Sequence, residues 1–285
     1  MVQTLDLEPI ELNLFRGHNA DRNRERLYGG QVIAQALVAA YRTVEGRACH
    51  SLHAYFIRPG DPKVPVLYQV DRARDGKSFT TRRVVAIQHG EQIFNLAASF
   101  QIHEPGLEHQ TPMPEAPPPE SVPDEKERFA EFIEKLPPER AGWWTRDRPI
   151  EMRPVDPQQI FAPVKLPATQ KVWFRVRDAV GDDLALNQCL LAYASDMSLL
   201  GTAMRPHGIS WETRGVQSAS LDHAIWFHHP MRVNDWHLFD QDSPSASGAR
   251  GFNRGSIYSQ AGVLVASVVQ EGLIRYRPPA SGAAV

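Results

Sequence analysis

Two segments of this chain are apolar on nearly every side of a helix, and they constrain the fold more than any other feature. Residues 29–43 (GGQVIAQALVAAYRT) and residues 184–204 (LALNQCLLAYASDMSLLGTAM) have apolar side chains at helical spacing and few charges. A helix without a polar face has to be covered by the rest of the protein. We therefore predict one buried helix over each segment.

Strand-like runs accompany both predicted helices. They cover residues 51–57, 64–72, 78–88 and 92–102 after the first helix, 171–177 before the second helix, and 218–227, 236–242, 249–258 and 263–275 after it. Turn signals such as Asp75-Gly76 and His89-Gly90 separate them, as expected for hairpins. An antiparallel sheet that curls around a helix buries it, so the pattern predicts an α+β fold made of two such units.

Three pairs of residues at similar spacing suggest an internal duplication. The pairs are Ser51-Leu52 with Ser220-Leu221 (offset 169), Phe79 with Phe252 (offset 173) and Gly90 with Gly262 (offset 172). Two unrelated antiparallel meanders would also share turn residues, so the duplication is an interpretation.

Prolines divide the chain. Fourteen of the 23 prolines lie within residues 105–167, and proline is excluded from central strands and helix interiors. We predict a first unit over residues 8–103, a proline-rich connector over 104–168 with one short helix near 124–136, and a second unit over 169–276. An irregular surface excursion of one large domain fits the same composition.

Composition excludes several classes of protein. The 285 residues carry 31 Lys plus Arg against 33 Asp plus Glu, a net charge of −2, which argues against nucleic-acid binding. Cys49 and Cys189 alone supply neither a disulfide framework nor a four-cysteine zinc site, so we expect a reducing compartment. No apolar run reaches the ~20 residues that span a bilayer, and the acidic N-terminal residues do not form a secretory signal. The expected location is cytoplasmic, with no membrane span.

Common catalytic motifs are missing from the sequence. It contains no Gly-x-Ser-x-Gly nucleophile elbow, no complete P-loop and no Gly-x-Gly-x-x-Gly dinucleotide motif. Four histidines (His223, His228, His229 and His237) raise the alternative of a metal site. Because His228 and His229 would point to opposite faces of a strand, we expect no metal site.

Three polar residues in apolar surroundings are candidates for a site. Asp196 lies within the second predicted helix. Burying an unpaired carboxylate is unfavourable, so a buried carboxylate is normally paired or functional. The alternative is that Asp196 lies at the helix end and faces solvent. Ser220 and Gln270 lie in apolar strands, where an ordinary strand hydroxyl and a solvent-facing amide are the alternatives. A carboxylate, a hydroxyl and an amide together could hold and polarise a water molecule.

Several long motifs, in order, give the chain a family resemblance. They are residues 27–37 (LYGGQVIAQAL), 148–153 (RPIEMR), 191–196 (LAYASD), 221–228 (LDHAIWFH), 245–252 (SASGARGF) and 266–272 (ASVVQEG). With these motifs the chain resembles the type II acyl-CoA thioesterases, which are double-hotdog enzymes. The resemblance runs from about residue 15 to residue 275.

The resemblance implies a fold, a reaction and a site. The fold is a double hotdog whose two sheets pair side by side. The reaction is hydrolysis of medium- to long-chain fatty acyl-CoA without a cofactor, by a water held by an Asp, a Ser or Thr, and a Gln. By motif these fall on Asp196, Ser220 (Thr in some relatives) and Gln270. A homo-oligomer is also implied.

The substrate contacts are less defined. We expect the acyl tail in an apolar tunnel beside the buried helices and the CoA phosphates at surface basic residues, for which Arg16, Arg58 and Arg82 are guesses. The alternatives to a thioesterase are a non-catalytic acyl-CoA binding protein, a hotdog hydratase or dehydratase, and a structural partner protein.

Overall fold

The two apolar segments form antiparallel buried helices in the computed structural model, which describes residues 1–19, 25–136, 141, 148–156 and 161–278. The helices of this described part are α1 (Gly29–Tyr41), α2 (Glu125–Ile133) and α3 (Leu184–Ser195). The Tyr28 hydroxyl before α1 donates to the carbonyl of Tyr193 near the end of α3, and the Tyr41 hydroxyl at the end of α1 donates to Gln188 of α3. The start of α1 therefore lies beside the end of α3.

One antiparallel sheet covers both helices. Its strands are β1 (Glu8–Glu11), β2 (Leu14–Gly17), β3 (Ala48–Phe56), β4 (Val66–Asp75), β5 (Phe79–Gln88), β6 (Glu91–Gln101), β7 (Ile150–Pro154), β8 (Thr169–Val176), β9 (Val216–Ser220), β10 (Asp222–Phe227), β11 (His237–Ser247), β12 (Arg250–Ser259) and β13 (Leu264–Tyr276). They are ordered β1-β2-β4-β5-β6-β3-β10-β13-β12-β11-β8-β7, and β9 pairs with β13. The pairing of β3 with β10 joins the halves, which confirms the predicted α+β double hotdog with one continuous sheet.

Strand register shows a repeat but corrects its alignment. Ala98 pairs with Arg82 in the first half, and Gln270 pairs with Asn253 in the second half. The offset between the repeats is therefore 172 from Ala98 to Gln270 and 171 from Arg82 to Asn253. Likewise Phe100 pairs with Cys49 as Gly272 pairs with Ser220. Two of the offsets read from the sequence were therefore wrong by two residues.

The wrong offsets have local causes. The counterpart of Ser220 is Cys49 rather than Ser51, because β3 has a bulge between these two residues. The matching strand is instead interrupted at Leu221, which splits the predicted strand 218–227 into β9 and β10. Identical letters on strands of similar composition do not fix a register.

The second predicted helix was too long. It ends at Ser195, and residues Leu199–His207 form a separate 3₁₀ helix. Between them Ser198 has a left-handed backbone (φ 83°), which is unfavourable for a serine. Its carbonyl accepts from Gln170 (3.1 Å) and its hydroxyl accepts from Gln241 (2.7 Å). These contacts with distant strands stabilise the interruption.

The proline-rich segment lies against the second half. The predicted short helix is α2, which is preceded by Asp124 as the N-cap in a capping box completed by Glu127. Strand β7 occupies the sheet edge, where proline is tolerated. Trp173 donates to the carbonyl of Pro117 (2.8 Å) and Arg153 to that of Pro119 (2.9 Å). The domain boundaries stay a prediction, and residues 137–140, 142–147 and 157–160 of the connector lie outside the described part.

The described residues include no helix that is long and apolar enough to cross a membrane.

Candidate active site

The start of α1 and the end of α3 meet so closely that only glycine fits. A Cβ atom at Gly30 would lie 2.4 Å from the carbonyl oxygen of Tyr193. The Gly30 amide instead donates to the carboxylate of Asp196, the residue that follows α3. A residue of the first half therefore contributes to a site in the second half.

The three candidate residues come together here. Gln270 of β13 donates through Nε2 to Asp196 Oδ1 (2.6 Å) and to Ser220 Oγ (2.9 Å). Ser220, at the end of β9, donates to the same carboxylate oxygen over 3.5 Å, which is long for a hydroxyl hydrogen bond. Asp196 thus lies at the helix end but faces the other two residues. Their catalytic role stays a prediction.

Burial raises the pKa of Asp196 to about 6. The hydrogen bonds from Gln270, Gly30 and Ser220 act in the opposite direction, but burial is the larger effect. A carboxylate with this pKa is ionised at neutral pH and is a better proton acceptor than an ordinary aspartate.

Gln270 is fully buried and its amide has a defined orientation. Nε2 faces the Asp196 carboxylate, because the flipped amide would bring two oxygens within 2.6 Å of each other. Both amide hydrogens are then used, on Asp196 and Ser220. In the described part of the chain the Gln270 carbonyl oxygen has no hydrogen-bond partner.

A second glycine lies directly against the other carboxylate oxygen. A Cβ atom at Gly29 would lie 2.8 Å from Asp196 Oδ2 and 2.9 Å from Phe56 Cζ. The carboxylate and the aromatic ring therefore pack against the backbone of Gly29, where a side chain would not fit. Gly29, Gly30 and Phe56 were not predicted as site residues from the sequence, although the glycine pair at the start of an apolar helix was a visible signal.

The first half has different residues at the equivalent positions. By register, Cys49 corresponds to Ser220 and Ala98 to Gln270, and the residue that follows α1 is Arg42 where Asp196 follows α3. At the equivalent described positions of the first half, the carboxylate, hydroxyl and amide are therefore all replaced.

Three of the four histidines considered as metal ligands have other partners. His223 contacts Ser195, His228 contacts Ser267, and His237 contacts the carbonyl of Asp235. Among the described residues no group of three or more His, Cys, Asp or Glu could hold a metal ion.

One guess about the phosphate contacts was wrong. Arg82 is 2% exposed, and it donates to Thr43 and pairs with Asp75, so it is not a surface residue. Arg16 pairs with Glu8 and Arg58 with Glu91, both at the surface.

Comparison with known proteins agrees with this fold. Residues 19–101 match the family model described as acyl-CoA thioesterase N-terminal domain, and residues 143–273 match the one described as acyl-CoA thioesterase. The chain is 42% identical to human acyl-coenzyme A thioesterase 8, over 97% of this chain and 89% of the human protein. It is 41% identical to acyl-CoA thioesterase 2 of Haemophilus influenzae, over 97% of both chains.

A solved structure is similar along the whole chain. It is the crystal structure of the acyl-CoA thioesterase II TesB2 from Mycobacterium marinum, with a TM-score of 0.79, 44% identity, and coverage of 97% of this chain and 99% of the other. The double-hotdog fold and these relatives are thus those of a thioester hydrolase. The chain belongs to the acyl-CoA thioesterase family.

Proposed function

We propose that this enzyme hydrolyses medium- to long-chain fatty acyl-CoA to free fatty acid and CoA by direct attack of water. The observation that carries the proposal is that Gln270 and Ser220 both donate to Oδ1 of the buried Asp196 carboxylate, while Oδ2 lies beside Gly29 at the start of α1. Release of a free fatty acid would place the enzyme in lipid metabolism.

In the proposed mechanism Asp196 is the base. A water molecule that donates a hydrogen bond to Oδ2 attacks the thioester carbonyl carbon, while its proton passes to the carboxylate. The C–S bond of the tetrahedral intermediate then breaks, and the proton held by Asp196 passes to the departing CoA sulfur. Gln270 and Ser220 fix the carboxylate through Oδ1, whereas the prediction from the sequence was that they hold the water itself.

The thioester oxygen becomes negative in the transition state and needs donors. The amides at the start of α1 are the proposed donors, because the positive end of that helix lies at the site. The Gly30 amide is already used on Asp196, and the amides of Gln31 and Val32 donate to the carbonyl of Tyr28. The Gly29 amide is therefore the proposed donor in this turn.

The test is CoA-thiol release from acyl-CoAs of increasing chain length. We expect release above the rate of spontaneous hydrolysis, with the highest kcat/KM at medium to long chains. Failure at every chain length would refute the enzymatic assignment and favour an acyl-CoA binding protein. A double-bond shift or hydration without thiol release would favour a hydratase or dehydratase.

We expect activity to fall in acid. Because the base must be ionised, kcat/KM should decrease as the pH drops through about 6, the raised pKa of Asp196. An ordinary aspartate, with a pKa near 3.8, would keep activity well below pH 5. A profile of kcat/KM between pH 4.5 and 8 with a saturated acyl-CoA measures the midpoint. A flat profile over this range would contradict Asp196 as the base.

Two further properties are proposed, the oligomeric state and the location. A homo-oligomer rests on the family resemblance, and sedimentation of the full chain at micromolar concentration tests it. A cytoplasmic, reducing location rests on Cys49 and Cys189, which are both buried free thiols.

A further inference from the structure

His223 faces the candidate amide Gln270 across two neighbouring strands. Strand β10 pairs Ala224 with Val269 and Ile225 with Val268, and the next position of this register sets His223 opposite Gln270. Both side chains are buried, at 1% and 0% exposure. Facing residues of antiparallel strands have Cβ atoms about 4.5–5.5 Å apart, so the imidazole and the amide are neighbours.

The hydrogen bonds of His223 fix which nitrogen carries the proton. Nε2 lies 2.9 Å from Ser195 Oγ, and Ser195 uses its single hydrogen to donate to the carbonyl of Ala192. Nε2 must therefore be the donor, and Nδ1 is an acceptor. Ser195 immediately precedes Asp196, so this hydrogen bond fixes the last turn of α3 next to the residue that carries the carboxylate.

Two buried acceptors are then carried by facing side chains. Within the described residues neither His223 Nδ1 nor Gln270 Oε1 has a hydrogen-bond partner. Two acceptors cannot satisfy each other, whereas a molecule with two donors satisfies both, and buried water commonly does this.

The first half shows that the fold does not require this polar pair. The register counterparts of His223 and Gln270 are Leu52 and Ala98, which pair directly with each other and are both buried. The same positions of the same fold thus take two apolar side chains. Because burying polar groups is unfavourable, their retention in the half with the trio points to a role in the site.

We propose that His223 is a positioning residue for the thioesterase site. Its Nε2–H donates to Ser195 and so fixes the turn of α3 that presents Asp196. Its Nδ1 shares one bound water with Gln270 Oε1. This water fixes the Gln270 amide, which in turn orients the Asp196 carboxylate. The inference rests on the proposed function of Asp196 and Gln270.

The electrostatics of the site suit this role. Burial lowers the pKa of His223 to about 3, so the imidazole stays neutral over the range in which Asp196 titrates. The groups that hydrogen-bond Asp196 are the Gly30 amide of α1, Ser220 of β9 and Gln270 of β13, none of which is charged. A change in the pH profile of a His223 variant would therefore report on these hydrogen bonds.

Four variants separate the two halves of the proposal. His223→Leu removes both contacts, His223→Gln keeps an amide near the position of Nε2, and His223→Asn keeps one near Nδ1. Ser195→Ala removes the acceptor for Nε2 and leaves the imidazole. His228→Leu is the matched control, since this exposed histidine follows the same strand and contacts Ser267.

We expect His223→Leu to lower kcat about 10–100-fold with KM unchanged, because a misplacement of about 1 Å can reduce a rate by about 10²-fold. The midpoint of kcat/KM against pH should rise above about 6, since the bonds that lower the pKa of Asp196 are weakened. The Gln and Asn variants should each recover part of kcat, Ser195→Ala should lose part of it, and His228→Leu should match the native protein.

The proposal is overturned if folded His223→Leu keeps the native kcat and pH midpoint. It is also overturned if the Gln and Asn variants are no faster than the Leu variant. If thermal unfolding shows that His223→Leu does not fold, the pH midpoints of His223→Asn and Ser195→Ala are used instead. The proposal is then overturned if both variants have the native pH midpoint. A native protein that releases no CoA thiol would instead refute the proposed function.

Discussion

Asp196→Asn is expected to lower kcat for acyl-CoA hydrolysis by about 10²–10⁴-fold, the usual loss when a general base is removed. Asparagine has nearly the same shape, and its carbonyl oxygen can still accept from Gln270, which bonds Asp196 over 2.6 Å in the native chain. The site should therefore remain assembled without a proton acceptor. Steady-state release of CoA thiol measures the loss, and thermal unfolding of the variant checks that it is folded.

A neighbouring carboxylate provides the matched control. Asp222 is also partly buried, and its Oδ1 accepts from the backbone amide of Glu271 (2.6 Å). Asp222→Asn keeps an acceptor at that position, so we expect turnover close to that of the native protein. Normal turnover in Asp196→Asn, or equal losses in both variants, would contradict the assignment of Asp196 as the base.

Much of the fold follows from local sequence patterns. Residues 29–43 and 184–204 are apolar on nearly every side, and a helix of that kind has to be covered by the rest of the protein. Strand runs with turn signals between them gave the antiparallel hairpins, and the prolines marked the connector. These features depend on a few neighbouring residues, which is why the sequence alone predicts them.

Features that depend on distant contacts were missed. The end of α3 at Ser195 follows from the left-handed Ser198, which Gln170 and Gln241 hold from other strands. The alignment of the repeats failed because one half has a bulge after Cys49 where the other has a break at Leu221. Neither the long-range contacts of Ser198 nor the bulge and the break are visible in a local sequence pattern.

The candidate site was predictable in part. Asp196 stood out because a carboxylate in an apolar helix needs a partner, and the family resemblance added Ser220 and Gln270. The contributions of Gly29 and Gly30 depend on the packing of α1 against α3. In the sequence His223 is indistinguishable from an ordinary core histidine. Its position opposite Gln270 follows only from the register of β10 and β13.

Gln270→Ala is expected to reduce kcat by about 10²-fold, at the lower end of the range for base catalysis. The carboxylate would lose its shortest hydrogen bond, and Ser220 would lose the amide that fixes its hydroxyl. Because the bond from Gln270 lowers the pKa of Asp196, the acid limb of the kcat/KM profile should also move to higher pH. Retention of the native midpoint would show that the amide does not act on this carboxylate.

A double-mutant cycle then tests whether the two residues act as one unit. If Gln270 works only by orienting the Asp196 carboxylate, removing it from an Asp196→Asn enzyme should change kcat little, so the double variant should be close to Asp196→Asn alone. Ser220→Ala in the native background should lose less than Gln270→Ala, because its bond to Asp196 is 3.5 Å long against 2.6 Å. Losses that simply multiply in the double variant would mean that Gln270 contributes through a separate contact, such as one with the substrate. The assignment of one carboxylate held by one amide would then have to be abandoned.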